Sequence, residues 1–209
     1  DAFDDALKKE GISFEIKHVS NSAAIIDMPQ ANHGMVRLGI ALYGMYPSDE
    51  VDKSAVALKP ALQLKSHVAM VKTVPAGEKI GYGGTFETKR ETVLATVTVG
   101  YGDGYPRSLS SKGYVLINGK KAPITGRVCM DQMVDVTDIG PVNRGDVVTL
   151  VGKDKDAEIT VEEIAALAGT FNYEFVCDLG KRIPRNYYLN GQYIGSHDYF
   201  HENWKLITD

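Results

Sequence analysis

Two cysteines, Cys129 and Cys177, are all that 209 residues contain. They lie far apart and form no C-x-x-C pair, so neither a disulfide framework nor a zinc site is indicated. A reducing, cytoplasmic setting fits best. Also missing is any apolar run approaching the ~20 residues of a membrane span. Basic charge is not in excess: 23 Lys and Arg stand against 27 Asp and Glu, for a net charge of −4. That balance gives no reason to expect nucleic acid or an anionic membrane as a partner. There is no initiator Met and no secretory leader, and Ala2, Phe3, Ala6 and Leu7 already follow a helical repeat. Such a start reads as a cut within a longer chain. What is present is an ordinary globular composition, 44% apolar, enough for one large or two modest domains with a real core.

Gly11 ends the opening helix, as a glycine just past the last helical residue often does. Ile12, Phe14 and Ile16 then alternate as a strand does. A second, near-continuous apolar run from Met35 to Gly44 has the pattern of a strand buried on both faces of a parallel sheet. Helix, strand, a small-residue segment (His18 to Ala24) and a buried strand read as the closing units of a TIM-type α/β barrel. In such barrels the loops after the last strands frequently bind phosphate. Ser22 offers a hydroxyl there, and Gly39 and Ile40 offer backbone N–H groups. Arg37 breaks the pattern, because an unpaired guanidinium inside an apolar strand is costly. A structural ion pair, an outward-pointing side chain or a bound ligand would each satisfy it. His18 is equally open, since a lone strand histidine is more often a satisfied core residue than a catalyst.

From Leu58 onward the pattern is one of strands and hairpins. Leu62 to Val74, Thr92 to Val99, Arg127 to Val136 and Val147 to Val151 read as strands. Asn118-Gly119 and Asn190-Gly191 are hairpin turns, because both residue types tolerate the positive φ of a type I′ turn. Thr160 and Glu163 form a capping box for a short helix, Val161 to Ala168, closed by Gly169. The expected fold is therefore mainly β: an antiparallel domain with one short helix, preceded by the last units of an incomplete α/β barrel. The expected divisions are 1–57 for the barrel remnant, 58–195 for the β domain and 196–209 for a C-terminal extension. His197 and His201 lie four apart in that extension, with Tyr199, Phe200 and Trp204, but no further ligand accompanies them and no metal is expected. Asp154 and Asp156 read as a charged turn, since the glycine and glutamate of a calcium loop are absent.

Within the β half, two tyrosines stand in glycine settings. Tyr82 lies in Gly81-Tyr82-Gly83-Gly84-Thr85-Phe86, and Tyr101 in Gly100-Tyr101-Gly102-Asp103-Gly104. Glycine permits positive φ and close approach of a neighbour, so each phenol is presented on a bend with room beside it. Ordinary turns that carry aromatics would look the same.

Taken in order and at these separations, HVSNSAA, VRLGIALYG, GYGGTF, VGYGDGYPR, GRVCMDQ and RIPR resemble bacterial alanine racemase from about Phe14 to about Tyr188. That family is a pyridoxal-phosphate racemase whose α/β barrel is followed by a β domain. The resemblance implies that Ser22, Gly39 and Ile40 bind the cofactor phosphate, with Asn21 beside them. It also implies that Arg37 hydrogen-bonds the pyridine nitrogen and that His18 orients the guanidinium. Tyr82 would be one of two acid/bases flanking the alanine Cα, since a proton removed from one face must return on the other. Met130 would offer its backbone N–H to the substrate carboxylate, with Tyr101, Arg107, Arg127 and Asp131 along the approach. A homodimer with active sites shared between subunits, and supply of D-alanine for peptidoglycan, are further implications. The family's cofactor-bearing lysine stands in a motif close to Lys-Ala-Asn-Ala-Tyr-Gly-His-Gly, which does not occur in these residues. The chain by itself is therefore expected neither to racemise nor to hold the cofactor stably. A racemase preferring serine or another small amino acid, and a free-standing β-barrel binding module, are the alternative readings.

Overall fold

The structure is a computed structural model that describes residues 2–200 and the backbone of 205–206. His201 and Trp204 of the expected extension lie outside the described residues. The chain divides into two compact units, Asp1–Ala61 and Leu62–Asp209, and each is considered by itself.

In the first unit, helix α1 (Ala2–Lys9) ends at Gly11, whose φ is +76° and whose N–H donates to the Lys8 carbonyl at 3.0 Å. Lys17 and Lys8 both reach Asp4, at 2.7 and 2.8 Å. They hold its carboxyl down at about 2, against an ordinary value of 3.8. Helix α2 (Ser22–Asp27) starts at Asn21, whose side-chain oxygen accepts from the Ala24 N–H at 3.1 Å, an N-cap.

The two strands expected here are not formed. Residues 12–16 and 35–39 run as extended or bent chain, and Ile40–Tyr43 is a single 3-10 turn. A strand needs a ladder of successive pairs on a neighbour. Among the described residues, the backbone bond made by residues 35–39 to the earlier chain runs from the Arg37 N–H to the Ser20 carbonyl at 2.9 Å, beyond residues 12–16. Their apolar side chains accordingly stay open, Phe14 and Ile16 each at 58% exposure. The 3-10 turn closes on Gly44 at φ +78°, where a Cβ would lie 1.8 Å from the Lys59 carbonyl oxygen. Only glycine fits there.

The second unit contains β1 (Leu64–Val74), β2 (Lys79–Ile80), β3 (Phe86–Glu87), β4 (Thr92–Val97), β5 (Tyr114–Ile117) and β6 (Lys120–Thr125). It continues with β7 (Gln132–Asp135), β8 (Val147–Asp154), β9 (Ala157–Ile159), α3 (Val161–Ala168) and α4 (Asn172–Asp178). Strands β10 (Arg185–Leu189), β11 (Gln192–His197) and β12 (Lys205–Leu206) form a separate antiparallel sheet. The strand order β1-β4-β7-β6-β5-β8 returns to β1, so six antiparallel strands close into a barrel. Closure depends on the length of β1. Its first residues, Leu64 to His67, pair with β8, and Val68 to Val74 pair with β4. A closed sheet leaves no open edge.

Both Asn-Gly turns adopt the expected conformation, with φ +56° and +79° at Asn118-Gly119 and +52° and +80° at Asn190-Gly191. The Thr160 hydroxyl accepts from the Glu163 N–H at 3.1 Å to start α3, and Gly169 at φ +81° ends it. Helix α4 is additional to the one helix expected. It begins at Phe171 with no side-chain cap, so it lacks the signal that marks α3. Among the barrel strands Val68, Leu94, Val97, Val115, Leu116, Ala122, Val134, Val148 and Leu150 are buried, as are Ile164 and Phe175 of the two helices.

Tyr105 is fully buried, with its ring edge-on to Phe175 at 6.4 Å between centroids. Its hydroxyl has no hydrogen-bond partner among the described residues, and burial pushes the phenol well above its ordinary value. Tyr105→Phe keeps the ring contact and deletes an unpaired buried hydroxyl, so it should stabilise the fold by about 1 kcal/mol. The pH dependence has a definite sign. An unfolded tyrosine ionises near pH ~10 while the buried one resists, so unfolding releases a proton and stability falls as pH rises above that point. Denaturant unfolding from pH 8 to 11 should show a gentler alkaline decline in Tyr105→Phe than in the parent.

Candidate active site

The short β2–β3 ribbon pairs Lys79 with Glu87 and Ile80 with Phe86, and its tip carries Tyr82. Gly81 and Gly83 take φ of +73° and +76°, so the chain turns tightly on either side of the phenol. The ribbon leans on Gly126, where a Cβ would come within 2.9 Å of the Ile80 carbonyl oxygen. The Arg127 guanidinium lies over Gly83, 3.6 Å from the place a Cβ would take. Tyr82 is thereby left 77% exposed.

Tyr101 opens a 3-10 turn, Tyr101–Asp103. Its N–H donates to the Cys129 carbonyl at 3.0 Å. A Cβ on Gly100 would be 1.7 Å from that same oxygen, and one on Gly104, at φ +92°, would be 1.9 Å from the Asp178 carbonyl oxygen. On the facing segment the Cys129 N–H donates to the Asp131 carbonyl at 2.9 Å, making a tight turn around Met130. The Met130 N–H donates to no acceptor among the described residues.

These turns border a cleft of about 760 Å³, lined by Tyr82, Tyr101, Arg107, Arg127, Met130 and Asp131, with Gln132 in its wall. Arg107 and Arg127 enter no ion pair among the described residues. Two unneutralised guanidinium groups against one carboxylate give the cleft a positive balance suited to an anion. Gln132 is 2% exposed, and among the described residues neither its amide oxygen nor its amide nitrogen has a partner.

The remaining expected residues belong to the first unit. The Ser22 hydroxyl accepts from the Gly39 N–H at 3.0 Å and from the Ala41 N–H at 3.4 Å, which leaves its own proton free to donate. Ile40 follows directly, and the Asn21 side chain is engaged as the α2 cap. Arg37 is exposed, not buried in a strand, and Nη1 donates to His18 Nδ1 at 2.8 Å. The expected cost of a buried guanidinium therefore does not arise. Among the described residues no group of three or more His, Cys, Asp or Glu could hold a metal.

Sequence reasoning missed Asp103 and Arg182, which form an ion pair at 3.0 Å beneath the Tyr101 turn, and the unpaired Gln132. An acid set between the glycines of Gly102-Asp103-Gly104 was the only local signal for the first; nothing local marks the others.

Residues 61–187 match the family described as alanine racemase, C-terminal domain, and residues 1–47 match alanine racemase, N-terminal domain. An alanine racemase of Clostridium novyi is 49% identical over 199 residues, covering 94% of this chain and 51% of that protein. One of Methanococcus maripaludis is 52% identical over 182 residues, covering 87% and 48%. The crystal structure of alanine racemase from Bacillus anthracis with bound L-Ala-P superposes with a TM-score of 0.88 at 39% identity, over 93% of this chain and 50% of that one. The alanine racemase of Clostridium difficile 630 in complex with cycloserine gives 0.88 at 41%, over 94% and 52%. The chain spans about half the length of the relatives it matches.

The cleft's dependence on glycine is testable at Gly104. Alanine there combines a positive φ with a backbone clash, so Gly104→Ala should cost on the order of 3 kcal/mol in denaturant unfolding. Gly140→Ala has positive φ but open space, and should cost clearly less.

Proposed function

The chain belongs to the alanine racemase family, and from that premise we propose that it is the part of a pyridoxal-phosphate enzyme that supplies one acid/base for interconverting L- and D-alanine. The observation that carries this reading is the exposed Tyr82 phenol on a glycine turn at a cleft lined by two unpaired arginines and the free Met130 N–H. A zwitterionic amino acid presents a carboxylate that such donors suit. It also presents a Cα whose proton a positioned phenol can take or return.

The residues of the first unit fit the cofactor. Ser22, with its hydroxyl proton free, and the Ile40 N–H are donors of the kind a phosphate accepts, while the Gly39 N–H is given to Ser22 Oγ and orients that hydroxyl. Gly39 lets Ser22 Oγ approach to 3.3 Å of where a Cβ would be. Arg37 is a donor that gives up no proton, held in place by His18, and so suits an unprotonated ring nitrogen. When bound, the cofactor draws electron density from the amino acid's Cα and acidifies its proton. Tyr82 then exchanges that proton on one face, and Met130 N–H, with Arg127 nearby, orients the carboxylate. The opposite face needs a second acid/base, which in this family is the cofactor-bearing lysine. In the complete protein we place the cleft of one subunit over the cofactor residues of its partner, in a cytoplasmic homodimer. The two free cysteines accord with a reducing compartment.

Two outcomes follow. The 209-residue chain, purified free of host racemase and given pyridoxal phosphate, should show no turnover of either alanine enantiomer by a coupled D-amino-acid assay. In the complete enzyme, Tyr82→Phe should slow the two directions unequally at proton transfer, with losses in the ~10²–10⁴-fold range usual for a positioned acid/base. Rates equal to the parent's in both directions would remove Tyr82 from the chemistry.

A further inference from the structure

Asp103 has no role in the reading above, yet it is the most heavily engaged carboxylate near the cleft. It is 8% exposed. One oxygen accepts from the Gly100 N–H at 3.0 Å, and the other lies 3.0 Å from Arg182 Nε in an ion pair. Its backbone carbonyl accepts from the Gly180 N–H at 2.9 Å. The turn that carries Tyr101 is thus tied across its base by its own acid and tied outward to the segment beyond α4.

Arg182 does more than neutralise that acid. A Cβ on Gly102 would lie 3.0 Å from Arg182 Nη1 and 2.8 and 2.9 Å from Met130 Cε and Sδ. The guanidinium and the Met130 side chain therefore pack together against the bare α-carbon of Gly102. Any rotation of the Tyr101 turn away from Arg182 would also open the packing against Met130. An exposed ion pair is worth little as stability; Arg182 is half exposed, but its partner is nearly buried and bonds backbone, which fixes geometry.

We propose that Asp103 and Arg182 are positioning residues that clamp the Tyr101 turn against Met130, so that the Met130 N–H is held where a substrate carboxylate can meet it. The inference rests on the racemase reading, and it names residues that touch neither substrate nor cofactor. Loss of the clamp leaves Tyr82 on its separate ribbon, so carboxylate binding should suffer more than proton transfer.

The test uses the complete, cofactor-loaded enzyme and the variants Asp103→Asn, Arg182→Ala, Arg182→Lys and the Asp103→Asn/Arg182→Ala pair. Arg182→Ala and Asp103→Asn should raise KM for alanine roughly 10-fold, within the scale known for small misplacements, and change kcat little. The double variant should be no worse than the poorer single, as for one shared interaction. Arg182→Lys, which keeps charge and length but loses the Nε donor, should recover part of the KM. Hydrogen–deuterium exchange should quicken in residues 98–106 and 127–132 and remain unchanged in β5 and β8. Parent-like KM and exchange in Arg182→Ala would overturn the clamp. So would exchange that quickens throughout the barrel, or kcat falling with KM unchanged. A parent enzyme that does not racemise alanine would instead refute the functional reading, and the exchange comparison would still decide the clamp.

Discussion

The hydrogen bond from the Tyr101 N–H to the Cys129 carbonyl is the contact on which the cleft depends. It exists because β4 and β7 are neighbours in a fixed register, with Val97 opposite Gln132. The chain leaves β4 just after Val97 and enters β7 at Gln132, so residues 98–101 and 129–131 emerge from the ladder at the same end. They would diverge there but for that bond, and the bond needs two backbones in contact. Gly100 permits it; any Cβ would fall on the Cys129 oxygen. A register slip of one residue would invert every side chain of the strand and separate the two turns. Sheet pairing, a single missing Cβ and the shape of the cleft are one chain of cause.

Closure of the barrel makes this end a stable platform for parts that have little stability of their own. The β2–β3 ribbon has two residue pairs, far too few to hold a turn unaided. It gains its position from contact with Gly126 and Arg127, which are anchored through Ser111 and Ser110: the Gly126 N–H donates to Ser111 Oγ at 3.1 Å, and the Val128 N–H to Ser110 Oγ at 3.0 Å. Tyr82 is therefore presented by a weak element resting on a strong one. That arrangement places an exposed phenol at a defined height while leaving its ring free of packing.

How much of this was legible follows the range of the forces involved. Both Asn-Gly hairpins, the Thr160 cap and the Gly11 stop are local events between residues a few positions apart, and each appears where its residues predict. Barrel closure is not local: the pairing of Leu64–His67 with β8 leaves no mark in either segment, so the sequence yields strands without their order. The apolar run from Met35 to Gly44 misled for a related reason. Its composition specifies burial on two faces, but a strand forms only when other strands offer their N–H and carbonyl groups. Glycine spacing marked the tight turns that carry Tyr82 and Tyr101, but ordinary turns share it, and only the resemblance singled those phenols out. Asp103 with Arg182, and Gln132, were not legible, because their significance lies in partners gained or lacked in three dimensions.

That last distinction separates structure from chemistry within the second unit. Elsewhere its buried polar groups are mostly used: the Thr88 hydroxyl, for example, donates to the Pro75 carbonyl at 2.7 Å and accepts from the Glu78 N–H at 3.0 Å, pinning the start of the ribbon. Around the cleft the pattern reverses. Among the described residues, the Met130 N–H, the Arg107 and Arg127 guanidinium groups and both polar ends of Gln132 have no hydrogen-bond or ion-pair partner. A buried amide so treated costs about 1–3 kcal/mol, and an apolar residue of similar shape would avoid the penalty. Tyr105 bears a similar cost, but its hydroxyl is enclosed in the core, where ring packing against Phe175 offsets it. The Gln132 amide is equally closed off from solvent, whereas Met130, Arg107 and Arg127 are exposed at the cleft, where water meets their donors. What distinguishes the cleft is therefore a set of hydrated donors, two guanidinium groups and one backbone N–H, an arrangement that suits a ligand bringing its own acceptors.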